Sequence, residues 1–453
     1  MRQHRTDLTQ GKVWKVILRF AFPLLIGNLL QQCYNVTDSV IVGQCLGKEA
    51  LAAVSASFFQ YYFVISWVIG VGSGISVVIS QFFGAKDYVR VQRAFSSFFI
   101  FMLGAGLMIS VAGMILARPL FELTHTPEEV VPEAVAYFRI YIGGTFLFVC
   151  FNSIISILRG VGESLRPMWF IGLTTALNIV LDLLFIVVFK WGIEGAARAT
   201  LVAQGIGMCV ALAYVNNTHP LFSIRKKDLV FDWSLFKEGL RIGLPTSVQQ
   251  CAISLGLMAL LGIVNSFGTD TLTAYGAAGK IDTVIIQAVL TLSSALAAFV
   301  GQNIGAGRLE RVRQGVRFAL LLNVVFSLST FALIYFLGDN LMRLFTDDAE
   351  VIRIGWEYLL IMAGFFVVHG GLNIFNGALR GAGDTLFPML VSITCLWLIR
   401  IPLAYAFSSI WGRSGIWWAI GCSLCIGLAI IYVYYRLGYW RKKSAVCRVK
   451  GER

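Results

Sequence analysis

Charge is what this chain has least of. Only 13% of its 453 residues are Asp, Glu, Lys or Arg, against roughly 25% in an ordinary soluble domain. With 57% hydrophobic residues, a water-soluble surface cannot be assembled from so little charge. A bilayer accepts such a chain, because hydrocarbon takes the place of the polar surface. Proline is scarce as well, nine residues beside 45 glycines, which suits closely packed membrane helices and excludes a fibrous or low-complexity chain. The nine cysteines are odd in number and lie mostly within apolar runs, so they imply no disulfide framework. Cys422 and Cys425 form a CxxC inside an apolar segment with no second ligand pair, which argues against a metal or redox site.

Catalytic signatures are missing too. The sequence holds no Walker motif, no HExxH and no Ser/His/Asp set, so neither ATP-driven transport nor enzymatic catalysis has support. GVGSG at 70–74 lacks the strand before it and the lysine after it that a nucleotide loop requires; it reads as a site of close helix contact. The net charge of +13 is spread over short stretches between apolar segments, which argues against nucleic-acid binding.

What is present is a series of long apolar runs. Segments near 16–40, 51–80, 95–116, 135–158, 168–189, 195–215, 240–264, 274–300, 316–337, 358–379, 387–410 and 415–437 each suffice to cross a membrane. The fold expected is all-α and polytopic, with twelve transmembrane helices in two pseudo-symmetric six-helix lobes: residues 1–215, a cytosolic linker 216–239, and residues 240–453 ending in a basic tail. Most of the 37 Lys and Arg residues fall at the termini and in the even loops, so both termini are expected in the cytosol of a multi-pass protein of the cell membrane. The basic, amphipathic N-terminus has no small-residue cleavage site and does not read as a removable signal peptide.

An internal repeat supports the two lobes. ILRGVGESLRPM at 157–168 returns as ALRGAGDTLFPM at 378–389, an offset of 221 residues. The same offset pairs Gln81 with Gln302, Gly84 with Gly305, Val91 with Val312, Gly47 with Gly268 and Leu51 with Leu272; one residue more pairs Pro23 with Pro245. Six helices per repeat is an even number, so both halves enter from the same side and are parallel repeats, an arrangement that leaves a cleft between two lobes for cargo.

Ionisable residues inside membrane segments are costly and therefore functional candidates. The first half has Asp38 and Asp182; the second has Lys280, Asp282, His369 and Arg400. Gln31, Tyr34 and Asn35 precede Asp38 by seven, four and three residues and share its helical face, a stripe expected to point into the protein. Asn178 stands one turn before Asp182, while Thr200 and Gln204 are offered by the next helix. Two carboxylates, an amide oxygen and a hydroxyl suit a hard cation such as sodium; the same pair in a low-dielectric cavity would also hold a proton. Packing between helices is the plainer alternative, weakened because the membrane segments of this half contain no base to pair the acids. Gln31, Tyr34, Asn35 and Asn152, polar groups in apolar helices, are the candidates for substrate contact. In the repeat, Asp38 falls opposite Ala259 or Leu260 and Asp182 opposite Leu403, so the acid pair belongs to one lobe. Lys280 and Asp282 read equally as a local pair or as part of the cleft, His369 as a hydrogen-bonded structural residue, and Arg400, beside Pro402, as a partner for Asp282.

PLLIGNLLQQCYNVTDSVIVGQCLGKEALAAVSA near the start, SQFFGAKD, the paired LRGxGxxxxPM segments and TALNIVLDLLFI occur in order. Together they resemble the multidrug and toxic compound extrusion (MATE) family from about residue 10 to 440. The resemblance implies a twelve-helix antiporter that exports amphipathic, often cationic compounds against Na+ or H+, with no cofactor beyond the coupling ion and no nucleic-acid partner; a monomer in the lipid bilayer is expected. The DinF-like branch implies cation coupling by Asp38, Asn178, Asp182 and Thr200, with Tyr34 beside them and Pro23 as the hinge of the first helix. The NorM-like branch carries a Glu shortly after the second-half proline, whereas TSVQQCAISLGLM follows Pro245 here. Two other readings stand beside this one: a flippase for lipid-linked oligosaccharides of the same superfamily, and a non-transporting receptor or scaffold.

Overall fold

The computed structural model describes residues 7–46, 48–123, 131–219, 221–222 and 228–451. Gly47 and residues 220 and 223–227 of the 216–239 linker lie outside them. The described residues form helices: α1 (Val13–Leu46), α2 (Lys48–Gly84), α3 (Tyr88–Leu123), α4 (Val131–Gly143), α5 (Thr145–Gly160), α6 (Leu165–Asp182), α7 (Gly192–Asn217), α8 (Trp233–Asn265), α9 (Thr269–Gly305), α10 (Leu309–Arg343), α11 (Ala349–Gly381), α12 (Leu386–Ile393), α13 (Ile401–Trp411), α14 (Arg413–Leu437) and α15 (Ala445–Gly451). Eleven spans are long and apolar enough to cross a membrane, and α4 with α5 makes a twelfth, bent by 46°. The break lies at Gly143 and Gly144. A Cβ on Gly144 would stand 2.1 Å from the Leu201 side chain, so the chain turns where only glycine lets α7 approach.

The fifth span of each half contains a π turn. Leu183–Val188 continues α6 immediately after Asp182, and Thr394–Arg400 joins α12 to α13. In the second case Pro402 follows at the start of α13 and removes a backbone donor; the wider turn ahead of it absorbs the missing bond.

The chain divides into two compact units, Met1–Asp7 with Phe22–Ser247, and Leu8–Ala21 with Val248–Arg453. Helices α1 and α8 each begin in one unit and end in the other, changing over beside Pro23 and Pro245. In the second unit Leu8 is fully buried. Its N–H donates to Gln302 Oε1 at 3.1 Å, and Asn303 Nδ2 donates to its carbonyl at 3.1 Å. Arg308 reaches the Thr9 carbonyl at 2.6 Å and Arg311 the Gly11 carbonyl at 2.9 Å. In the first unit α8 lies against α2 with backbones almost touching: a Cβ on Gly70 would meet Ser247 N at 2.4 Å, and one on Gly74 would meet Gly239 O at 2.4 Å.

The repeat is visible in side-chain detail. Gly162 and Gly383 of the two LRGxG motifs take positive φ, 88° and 85°. The acids that follow are both buried and each accepts from a tyrosine: Tyr214 to Glu163 at 3.1 Å and Tyr434 to Asp384 at 2.6 Å. Asn152 and Asn373 each donate to the carbonyl one turn earlier, on Phe148 and His369, at 2.9 Å. Away from these interiors large apolar side chains face outward, Met108, Ile115, Phe336 and Leu398 among them; in lipid such a surface carries no hydrophobic penalty.

Candidate functional site

The site lies in the first unit, where α1, α6 and α7 each contribute polar groups to an apolar interior. Asn178 and Asp182, one turn apart on α6, are 2% and 0% exposed. The Thr200 hydroxyl on α7 links the helices: it receives a hydrogen bond from Asn178 Nδ2 at 3.2 Å and pairs with the Tyr34 hydroxyl of α1 at 3.3 Å. The carboxyl groups of Asp38 on α1 and Asp182 on α6 come close enough to act directly on each other. Two carboxylates repel at such closeness unless a proton or a cation lies between them, because each offers only acceptors when ionised. Among the described residues neither oxygen of Asp182, nor Asn178 Oδ1, receives a hydrogen bond from a donor group. Three buried, acceptor-only oxygens on one helical face suit a hard cation, and the carboxyl pair by itself suits a proton.

Beside these groups is a cavity of about 50 Å³ lined by Gln31, Tyr34, Asn152, Asn178, Thr200 and Gln204, with Arg159 also in its wall. That volume holds a few waters or one ion and falls well short of the roughly 300–1,000 Å³ of a site for a drug-sized ligand.

Asp38, Asn178, Asp182, Thr200 and Tyr34 are thus brought together, and Gln31 and Asn152 line the adjoining space. Asn35 departs from the expected stripe: it is exposed and is not part of the cavity wall, because four positions spread over two helical turns cannot all face a gap this narrow. Pro23 lies inside α1. Arg159, one residue past the apolar segment 135–158, belongs to the last turn of α5 and borders the cavity. A tyrosine cluster also went unread. Tyr141 of α4 lies among Tyr34, Tyr61 and Tyr137, its ring 4.3 Å edge-on from that of Tyr61 and 5.6 Å from that of Tyr137. Its one signal in the sequence is the spacing of Tyr137 and Tyr141, which any core-facing aromatic pair would show.

In the second unit two expected pairings do not form. Arg400 Nε donates to Ser423 Oγ at 2.8 Å rather than reaching Asp282, and Lys280 is exposed over the Phe345 ring at 5.7 Å. The π turn that ends at Arg400 directs its guanidinium toward α14, which accounts for the first difference.

Twelve spans in two repeats, with acids held in the interior of each, define a multi-pass membrane transporter and not an enzyme. The chain belongs to the MATE family: the MatE family model matches it twice, over residues 23–184 and 245–406, each match opening on the proline where a helix changes units. The chain is 33% identical over 438 residues to the probable multidrug resistance protein YpnP of Bacillus subtilis, covering 96% of this chain and 97% of that one. It is 26% identical to the probable multidrug resistance protein NorM of Thermotoga maritima, over 96% and 95% of the two chains. A solved structure described as the outward-facing conformation of a multidrug resistance MATE family transporter of the MOP superfamily matches with a TM-score of 0.90 at 25% identity, covering 96% of this chain and 98% of that one.

Proposed function

We propose that this transporter exports small amphipathic, often cationic organic compounds in exchange for Na+ or H+, by alternating access and with the coupling residues of the DinF-like branch. The observation that carries the reading is the closeness of the Asp38 and Asp182 carboxyl groups, with both oxygens of the buried Asp182 receiving no hydrogen bond among the described residues. A cation or proton arriving there neutralises a charge that hydrocarbon disfavours, and so biases the position of α1, the helix on which Asp38 stands. Each charge moved through a membrane potential of 100 mV carries about 2.3 kcal/mol, enough to tilt a two-state equilibrium strongly. No acid follows Pro245 within TSVQQCAISLGLM, which supports coupling in the first unit. Purified protein in proteoliposomes, given a Na+ or a pH gradient, should drive uptake or release of ethidium against its own gradient; ethidium movement indifferent to both gradients would refute ion coupling.

Substrate contact is assigned to Gln31, Tyr34, Asn35 and Asn152. The cavity that Gln31, Tyr34 and Asn152 line is too small for such compounds in this conformation, so the reading requires it to widen during the cycle. Alanine at Gln31 or Asn152 should change the relative resistance an efflux-deficient host gains to different compounds by several-fold while protein level in the membrane stays within about a factor of two. Equal loss of resistance to all compounds, in step with loss of folded protein, would favour packing alone.

The distribution of Lys and Arg supports cytosolic termini and a cytosolic 216–239 connection. A cysteine introduced at Lys226, in a background lacking the exposed native cysteines, should resist an impermeant maleimide in intact cells and react once the membrane is opened. Labelling in intact cells would invert the topology.

A further inference from the structure

The second unit holds a buried carboxylate that the coupling scheme leaves unused. Asp282 on α9 is 8% exposed. Its Oδ2 accepts from the Tyr358 hydroxyl of α11 at 3.1 Å, and its Oδ1 is buried with no hydrogen-bond partner among the described residues. Tyr358 belongs to an apolar cluster that includes Leu260, Ile263, Ala278 and Trp417, and Ile281 and Ile285, which flank Asp282 on α9, pack against that cluster. Tyr275 lies flat on Trp417 at 5.5 Å and Tyr358 stands edge-on to Trp417 at 4.9 Å, so an aromatic wall closes one side.

The groups facing Asp282 can be named element by element. Its own helix presents Tyr275, and α11 presents Tyr358. The cluster that Tyr358 joins draws Leu260 and Ile263 from α8, Ile334 and Met342 from α10, Ala404 from α13 and Trp417 from α14, none of which titrates. Arg400 acts on Tyr275 and Tyr358 while its Nε is held by Ser423; Lys280, two residues away, points outward over Phe345. Among the described residues no ion pair balances Asp282, and a buried carboxylate without a counter-charge is strongly disfavoured when ionised. Sodium would need several oxygen ligands, whereas the group that reaches the carboxylate, Tyr358, is a phenol donating its own proton. A proton needs only the carboxylate.

The repeat sharpens the comparison. Asp282 and Tyr358 occupy the positions that Tyr61 and Tyr137 hold in the first half, so two phenols of one unit correspond to an acid and a phenol in the other.

We propose that Asp282 is a proton-carrying site of the second unit, loaded and emptied during transport in addition to the Asp38–Asp182 pair. On emptying, the carboxyl proton passes to water and the Tyr358 hydroxyl continues to donate to Oδ2. Its place in transport rests on the reading of ion-coupled export given above; the presence of an exchangeable proton does not.

Dicyclohexylcarbodiimide modifies protonated carboxyl groups in apolar surroundings, and peptide mass spectrometry can locate the adduct on the purified full-length chain. Labelling of Asp282 should fall about tenfold or more between about pH 5 and about pH 9, and should do so equally in the Asp38→Asn/Asp182→Asn double variant. No labelling at any pH, or labelling constant across the range, would overturn the proposal, the first because the group never holds a proton and the second because it never releases one. In proteoliposomes that transport ethidium, Asp282→Asn should lower the number of protons exchanged per ethidium and Asp282→Glu should restore it. An unchanged proton count in Asp282→Asn would also overturn the proposal. Loss of coupling in the double variant alone bears on the first unit and leaves the labelling result for Asp282 standing.

Discussion

Replacing Asp182 by Asn should leave the protein folded in the membrane and reduce gradient-driven efflux to background, and Asp38→Asn should do the same. Asn is nearly isosteric with Asp and carries no charge, so the packing of α6 around a fully buried side chain is preserved while the group that binds and releases the ion is lost. Buried carboxyl groups close enough to act on each other repel when both are ionised, so removing one charge should stabilise the empty state of the site rather than weaken the fold. The measurement is ethidium export from inverted vesicles under imposed gradients, with protein amount and gel-filtration profile followed in parallel. The expected loss is on the order of a hundredfold in gradient-dependent rate, a coupling term of about 3 kcal/mol. Native rate with native gradient dependence in either variant would remove that residue from the coupling site. Running the assay with a Na+ gradient alone and a pH gradient alone also identifies the ion.

A comparably large effect is expected far from the acids, at Gly74. The Cβ position on this residue lies 2.4 Å from Gly239 O and 2.6 Å from Gly243 N, which are backbone atoms that no rotamer change can clear. The neighbouring crossing is further fixed by Ser247 Oγ donating to the Trp67 carbonyl at 3.2 Å. Gly74→Leu must therefore separate α2 from the first half of α8, at a cost on the order of 3 kcal/mol or more, which in a chain of this length corresponds to a melting midpoint lower by roughly 3 °C or more. Thermal unfolding of detergent-solubilised protein followed by gel filtration measures it. Gly104→Ala is the matched control, since nothing lies within 4 Å of a Cβ there, and its midpoint should equal that of the native chain. A native midpoint for Gly74→Leu would mean the two backbones are not in contact.

The elements of this fold that were legible in the sequence are those written in composition and spacing. Long apolar runs mark spans whatever they pack against, and the span count and the repeat follow from them. Asp38, Asn178, Asp182 and Thr200 could be grouped because acids and amides are so rare within those runs that each one stands out. Tyr141 could not be singled out, because a tyrosine facing a core and a tyrosine facing an ion site have the same spacing. The charge of Arg159 closes the apolar window at 158, so the helical turn that carries it to the cavity does not show in hydropathy. The partner of Arg400 depends on the π turn before Pro402, and the widening of one helical turn leaves no mark on hydropathy. The changeover of α1 and α8 between units is likewise invisible along the chain, since it is a property of contacts made by residues hundreds of positions apart.

That changeover bears on how the protein is made. The second unit incorporates Leu8–Ala21, which leave the ribosome long before the rest of that unit. The groups that hold its start, Gln302, Asn303, Arg308 and Arg311, are synthesised nearly three hundred residues later. The first unit likewise waits for the opening turns of α8 before its own interior is closed. Neither half can be completed as an independent product of translation, so a chain interrupted in the middle leaves both with unfilled sockets, and membrane quality control has a clear difference to read between an unfinished transporter and a finished one.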